Sequence, residues 1–310
     1  MNGHVKFSVR MHQHGYNFDD LKRVWTQADR LGYHSATLYD LLNAPALECW
    51  TALSALSTLT EQIRLTPLVL GNTYRPPALL AKMSSTLDVI SGGRLELGIG
   101  AGGGTGDHRA SGLPFPSTAE RVKMLEEAVE LIKESWTQPS ATYHGKYYSL
   151  EQSVNEPRPI QVPHPPVLIG GHGERHLLRS VASHADICNI GFEMSLEEHR
   201  SKMEIVRRYC DDLGRDPSEI EITHNTRVII AESEQKFDDL VVQGATSSNV
   251  SVTDYRKTLS GAISGTPEQC VQQISKYIND GIKYFFLLFP DPITNENLDL
   301  FAKEVMPHFT

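Results

Sequence analysis

Ile90-Ser-Gly-Gly-Arg94-Leu-Glu-Leu-Gly98-Ile-Gly100-Ala-Gly102-Gly103-Gly104-Thr-Gly106-Asp107-His108 is a short apolar run that empties into glycine before the chain turns polar. Arg94 to Ile99 alternates well enough to form a strand. The glycines that follow supply backbone that turns sharply or lies against a flat ligand with no Cβ in the way. In α/β proteins, ligands bind beyond the carboxyl ends of strands. The spacing Gly98-x-Gly100-x-x-Gly103 also fits the dinucleotide-binding pattern. That pattern needs a helix directly after the strand, whereas here a polar loop carrying Pro114 and Pro116 delays the next capped helix to Ser117. Two readings remain for the glycines: a loop that simply turns, or close backbone approach to a ligand, and their density favours the second.

Outward from this stretch, strand and helix signals alternate to both ends of the chain. Toward the N-terminus lie a strand at 5–11, a helix at 18–31 capped by Asn17 and stopped by Gly32, a strand at 35–39, a helix at 47–59, a strand at 63–70 and a helix opened by Pro76-Pro77. Toward the C-terminus, Ser117 and Glu120 have capping-box spacing ahead of an amphipathic helix. A hairpin-like insertion around His144-Gly145 and a proline-rich passage come next, then strands at 167–169, 186–190, 221–230 and 284–289 with helices between. The segment 232–265, rich in Ser, Thr and Gly, has no clear pattern and reads as an insertion. Alternation of this kind implies parallel strands joined by helical crossovers. It predicts an α/β fold of the TIM (β/α)8 type, one domain over 1–310, with insertions after the fourth and seventh strands.

Composition narrows the class. The chain has 310 residues, 40% of them hydrophobic, and a net charge of -9. With a pI near 5.8, nucleic acid and anionic membranes are poor partners. The first residues lack the apolar core of a signal peptide, and no run is long enough to span a bilayer, so a cytoplasmic protein acting on a small-molecule substrate is expected. Cys49, Cys188, Cys210 and Cys270 have neither CxxC nor zinc spacing and read as reduced and buried; no metal site is expected.

A TIM barrel reacts at the C-terminal ends of its strands. The residues there are His12 and His14, Asp40, the run Gly71-Asn72-Thr73-Tyr74, Ala101 to His108, and Gly170-Gly171-His172-Gly173. The last of these precedes a helix, and successive amides at a helix N-terminus bind phosphate without a lysine. An ordinary βα turn is the alternative. His12 and His14 have the chemistry for acid/base work, and Asp40 for holding a ligand or a neighbouring side chain, or for capping a helix nearby. His199, in a charged helix with no HExxH, reads as solvated surface.

Ser91-Gly-Gly-Arg-Leu-Glu-Leu-Gly-Ile-Gly-Ala-Gly102, Gly112-Leu-Pro-Phe-Pro116, Glu120-Arg121 and Pro166-Val-Leu-Ile-Gly-Gly171 together resemble the luciferase-like monooxygenase superfamily. Glu48-Cys-Trp50 and Asn72-Thr-Tyr-Arg75 resemble its branch of oxidoreductases that use the deazaflavin coenzyme F420. The resemblance implies a homodimeric barrel that binds F420, or FMN as the alternative, at its C-terminal mouth. It implies phosphate binding at Gly170, Gly171, His172 and Gly173, the cofactor ring or its ribityl chain against Ala101 and Gly102, and a bulged third strand, often with a non-prolyl cis peptide, near Gly71, Asn72 and Thr73. Asp40 matches the aspartate of the branch's Asp-His pair. Leu41 stands where the histidine belongs, so the usual proton donor is missing, and His12, His14, Glu48 and Tyr74 become candidates for its role. The implied activity is hydride transfer between deazaflavin C5 and a C=C, C=N or C=O substrate. An FMN-dependent monooxygenase and a catalytically silent flavin-binding barrel are the alternatives.

Overall fold

The computed structural model describes residues 4–171 and 176–309. Its strands are β1 (Lys6–Arg10), β2 (Ser35–Leu38), β3 (Arg64–Pro67), β4 (Leu70–Gly71), β5 (Leu97–Gly100), β6 (Ala141–His144), β7 (Ser149–Ser153), β8 (Val167–Gly171), β9 (Ile187–Ile190), β10 (Glu221–Ile230), β11 (Ile263–Gly265) and β12 (Tyr284–Leu288). All but the β6–β7 hairpin belong to one parallel sheet in the order β3-β2-β1-β12-β10-β9-β8-β5-β4, with β11 added to β10. Because β3 and β4 are consecutive pieces of one chain segment, this order is a nearly closed TIM barrel.

Barrel closure explains why the third strand is not the single run 63–70 that its sequence suggests. β3 pairs with β2, whereas β4 pairs with β5 through Leu70↔Ile99 and Gly71↔Gly100. Between them the Leu68-Val69 peptide is cis. The irregularity expected near Gly71-Asn72-Thr73 is therefore centred upstream of those residues, which instead carry the end of β4 and a 3-10 turn over Asn72–Tyr74.

Eight crossover helices surround the barrel: α1 (Phe18–Arg30), α2 (Cys49–Ser57), α3 (Pro77–Ser91), α5 (Thr118–Thr137), α6 (Leu177–His184), α7 (Leu196–Leu213), α10 (Pro267–Asn279) and α11 (Asn295–Glu304). Their starts follow local chemistry. Asn17, Ser117, Ser195 and Thr266 each form a reciprocal capping box. Two insertions interrupt the pattern. After β5 comes a short helix α4 (Thr105–Ala110), within the stretch that reads as loop, and the β6–β7 hairpin follows α5. After β10 the unassigned segment folds as α8 (Glu234–Ser247), α9 (Val252–Thr258) and β11.

Side chains alternate across the barrel wall. Leu168, Ile187, Tyr284 and Phe286 point inward with Leu68 to form an interior cluster, while Val167, Ile169, Cys188 and Phe285 pack outward against the helices. Among the described residues no helix is long and apolar enough to cross a membrane. All four cysteines are free and buried.

Candidate active site

The inward cluster fills the barrel only partway. Above it, at the C-terminal ends of the strands, opens a cavity of about 710 Å³, within the range usual for small-molecule sites. One wall is nearly bare backbone: Gly71, Gly100, Ala101, Gly102, Gly170 and Gly171. The rest of the lining carries polar and aromatic groups, among them Arg10, Tyr39, Asn189, Phe192 and Asn225.

The glycines have a cause that the sequence does not show. A Cβ on Gly98 would stand 1.9 Å from the Pro67 carbonyl oxygen, one on Gly100 2.9 Å from Val69 Cγ2, and one on Gly170 2.7 Å from Val69 Cγ1. No real Cβ tolerates such contacts with backbone or with a packed branched side chain. These glycines thus make room for the Pro67–Val69 turn, and the turn forms the floor of the cavity. Gly102 is different: its φ of +81° is left-handed, and Thr73 Oγ1 crowds the Cβ position at 2.3 Å. Gly103 meets nothing and needs no special explanation.

Asp40 lines the cavity but is fully engaged. Its carboxylate accepts both terminal nitrogens of Arg75 at 2.9 Å and the Gly71 amide at 2.8 Å. It therefore braces β4 through a bidentate pair and caps no helix. Glu48 lies outside the cavity lining and caps α2, accepting the Trp50 and Thr51 amides at 3.0 and 2.7 Å. Burial opposes its charge, but hydrogen bonds from Thr51 and Trp50 and the nearby Arg75 hold its carboxyl below the usual range. His12 and His14 also fall outside the lining: His12 packs its ring 4.9 Å from that of Tyr39, and His14 is exposed. Asn72 is buried and donates to Tyr148 at 3.3 Å, and Thr73 Oγ1 is 2.7 Å from His108 Nε2. Gly71, Ala101, Gly102, Gly170 and Gly171 all meet at the cavity. His172 and Gly173 lie outside the described residues.

Sequence reasoning passed over several cavity residues. Arg10 is the last residue of β1, just before the histidines that drew attention. Asn189 and Asn225 sit inside strands, where their polarity on an inward face was the available signal. They hydrogen-bond each other, with Asn225 Nδ2 donating to Asn189 Oδ1 at 2.9 Å and to the Gly191 carbonyl at 3.0 Å. Tyr74, by contrast, is one of the candidate proton donors, and it does line the cavity: it donates to the Gly103 carbonyl at 3.2 Å, and burial, then the Asp107 charge, pushes its hydroxyl up to about 12. Arg121 donates to the carbonyls of Gly102 and Pro116 and so fixes the glycine loop from behind. His199 is a correction of another kind. It is buried, and its Nε2 lies 2.9 Å from His224 Nδ1 on β10.

A parallel barrel with a glycine-walled cavity at its C-terminal mouth has the architecture of TIM barrels, whose ligand sites lie at that end. Comparison with known proteins makes this specific: the luciferase-like monooxygenase family model matches residues 3–284, and the chain belongs to that family. An uncharacterized protein of Mycobacterium tuberculosis is 36% identical over 151 residues, 49% of this chain and 52% of the relative, so that match spans about half the length of each. An F420-dependent glucose-6-phosphate dehydrogenase of Microbacterium testaceum is 24% identical, covering 98% of this chain and 97% of the relative. An FMNH2-dependent dimethylsulfone monooxygenase of Pseudomonas putida is 25% identical, covering 84% and 78%. In fold, the chain resembles coenzyme F420-dependent tetrahydromethanopterin reductase from Methanopyrus kandleri, with a TM-score of 0.81, 19% identity and coverage of 99% and 100%. It also resembles a long-chain alkane monooxygenase, with a TM-score of 0.82, 14% identity and coverage of 99% and 91%.

Proposed function

We propose that this chain is an F420-dependent oxidoreductase that passes a hydride between the deazaflavin and a small organic substrate carrying a C=C, C=N or C=O bond. The observation behind the proposal is the cavity itself. Its flat wall of glycine backbone over the Val69 floor suits a planar ring system, and its other end, at Gly170, Gly171 and His176, suits an anionic tail. Nearly full-length similarity to an F420-dependent dehydrogenase favours the deazaflavin.

On this reading Ala101, Gly102 and Gly71 line the ring, and Gly170 and Gly171, continuing into His172 and Gly173, hold the phosphate. When bound, F420 supplies or accepts the hydride. The protein's own share is to exclude water above Val69, to align the substrate, and to present polar hydrogens at the facing wall. Tyr39 is the hydroxyl so placed; burial pushes its pKa up and Arg10 only partly offsets that effect, so it stays protonated at neutral pH. Asp40 acts indirectly, by fixing Gly71 and Arg75. His12, His14 and Glu48 have no part in the proposed proton path.

Titrating the purified chain with F420 and, separately, FMN while following cofactor fluorescence tests the proposal. Saturable F420 binding is expected. FMN binding without F420 affinity would overturn it in favour of an FMN-dependent monooxygenase, the reading that similarity to the dimethylsulfone enzyme supports and that flavin-dependent oxygen consumption would establish. Tight cofactor binding with no turnover across a broad substrate panel would mark a catalytically silent barrel. Size-exclusion chromatography with light scattering tests the homodimer that we propose alongside.

A further inference from the structure

Arg10 is a cation that lines the cavity. Its Nε donates to the Tyr39 hydroxyl at 2.5 Å. Its Nη1 is shielded from solvent and has no hydrogen-bond partner among the described residues. Among those residues the group forms no ion pair; of the two acids that line the cavity, Asp40 is spent on Arg75 and Asp107 receives the Tyr74 hydroxyl. The guanidinium is held in place by two rings, with Phe192 4.6 Å and Tyr39 5.5 Å from its central carbon. The Tyr39 hydroxyl in turn accepts from Arg10 and donates to nothing described. Gln13 grips the Tyr39 backbone on both sides, receiving its amide at 2.9 Å and donating to its carbonyl at 2.6 Å. A half-buried, immobilised arginine with unused N–H groups, next to a phenol with an unused O–H, is costly to maintain unless something completes it.

Position in the barrel says what that something is. In the sheet order, β1 lies opposite β8: β12, β10 and β9 separate them on one side, and β2, the β3–β4 segment and β5 on the other. The glycine wall and phosphate end belong to β4, β5 and β8, so Arg10 faces them across the mouth, where a substrate stacked on the ring would project its distal groups.

From this arrangement we infer that Arg10 and the Tyr39 hydroxyl form a receptor for a negatively charged oxygen group of the substrate, with a carboxylate as the matching chemistry, so that the enzyme acts on small organic acids. The inference rests on the proposed function for the identity of the ring opposite, but the receptor is a property of the chain alone. A carboxylate fits because its two oxygens can take one N–H and one O–H from donors side by side on β1 and the end of β2. Phe192, 36% exposed, borders the guanidinium on the cavity side.

The test is calorimetric and needs no turnover. Apo and F420-saturated protein are titrated with acetate, succinate, benzoate and 3-phenylpropionate, each against its neutral amide, with phenyl phosphate as a further arm. At least one acid is expected to bind tenfold or more tightly than its amide, and to lose tenfold or more in Arg10→Met while the Kd for F420 changes less than twofold. Arg10→Lys should recover part of the affinity and Tyr39→Phe should lose a smaller part; these two variants carry the test if Arg10→Met does not fold. Equal binding of every acid and its amide overturns the inference, as does a preference for phenyl phosphate alone, which makes the subsite a phosphate site. A parallel loss of F420 affinity in Arg10→Met also overturns it, by assigning the arginine to the cofactor. Failure of F420 and FMN to bind at all would remove the proposed function and leave the apo titration to judge Arg10 separately.

Discussion

Gly98 has room for a hydrogen and nothing larger. The Pro67 carbonyl occupies the place where a Cβ would go, 1.9 Å from it, and that carbonyl cannot swing away because β3 is paired to β2 through Thr37↔Thr66 and Leu38↔Pro67. Gly98→Ala therefore has to displace the turn that carries Leu68 and Val69. We expect a loss of about 3 kcal/mol, the upper part of the range for overpacked cores, visible as a lower midpoint in urea or thermal melts. Gly103→Ala is the matched control. It shares the loop but meets no atom within 4 Å and has no left-handed φ, so it should stay within about 0.5 kcal/mol of wild type. Equal losses in the two variants would show that loop flexibility, rather than the Pro67 contact, is what the glycines serve. Residue by residue, then, the glycine motif has two origins: Gly98, Gly100 and Gly170 accommodate a neighbouring strand, while Gly102 answers to a backbone angle.

Between β10 and α7, two histidines meet in an apolar setting that holds both neutral. His224 stacks on Tyr277 with ring centroids 4.0 Å apart and touches His199 at 2.9 Å. Burial pushes His199 down to about 4 and His224, which also feels His199, down to about 3. In the unfolded chain each would titrate near about 6.5. A depressed folded-state value means the unfolded chain binds more protons, so the contribution to stability is complete above about pH 6.5 and is lost as the pH falls toward the folded values. Thermal melts at pH 7 and pH 5 should differ by about 2 kcal/mol per histidine, and His224→Leu should flatten that limb; an unchanged slope in the variant would remove the pair as its cause. This contact also shows what sequence could and could not give. Helix starts at Asn17, Ser117 and Thr266 were legible because a cap is settled within four residues. The barrel was legible from its alternation, and most backbone positions of the cavity from their place after strands. His199 was misread because its partner lies on a distant strand, and a charged helix hides one buried position. The break between β3 and β4 was expected only through the family resemblance, and a few residues too far downstream, because barrel closure, not local propensity, imposes it. Helices α8 and α9 were missed because their Ser, Thr and Gly content obscures a weak apolar face. Arg10 escaped because attention fell after the strand rather than on its last residue.

The barrel as a whole is tied at its N-terminal end by one carboxylate. Glu96, 2% exposed, receives Arg64 Nε at 2.9 Å and lies 3.3 Å from His34 Nε2 at one oxygen. At the other it receives the hydroxyls of Thr66 and Tyr284 at 2.8 Å each. Tyr284 then meets Ser35, which donates to Ser8, so β1, β2, β3 and β12 are all joined through the residue that leads into β5. Burial would raise the carboxyl of Glu96, but the hydrogen bond from His34, the charge of Arg64 and the Thr66 hydroxyl outweigh it and bring the group down to about 2. Relative to about 4.3 in the unfolded chain, this contribution is complete above pH ~4.3 and disappears as the pH falls toward ~2, about 3 kcal/mol in all. The molecule thus has two acid windows at two places: the helix-packed histidine pair outside the wall weakens first, and the knot that closes the barrel weakens later. Glu96→Gln puts an amide where two donors converge and leaves Arg64 short of its counter-charge, so it should cost roughly 3 kcal/mol at pH 7. It should also abolish the lower window while leaving the upper one intact, because no hydrogen bond among the described residues joins Glu96 and its partners to His199 and His224. Melts of wild type, Glu96→Gln and His224→Leu from pH 7 to pH 2.5 decide the matter. If each variant removes only its own window, the two networks act independently; if Glu96→Gln also flattens the limb between pH 7 and 5, the barrel end and the α7 contact unfold as one unit, and the separation argued from their geometry does not hold.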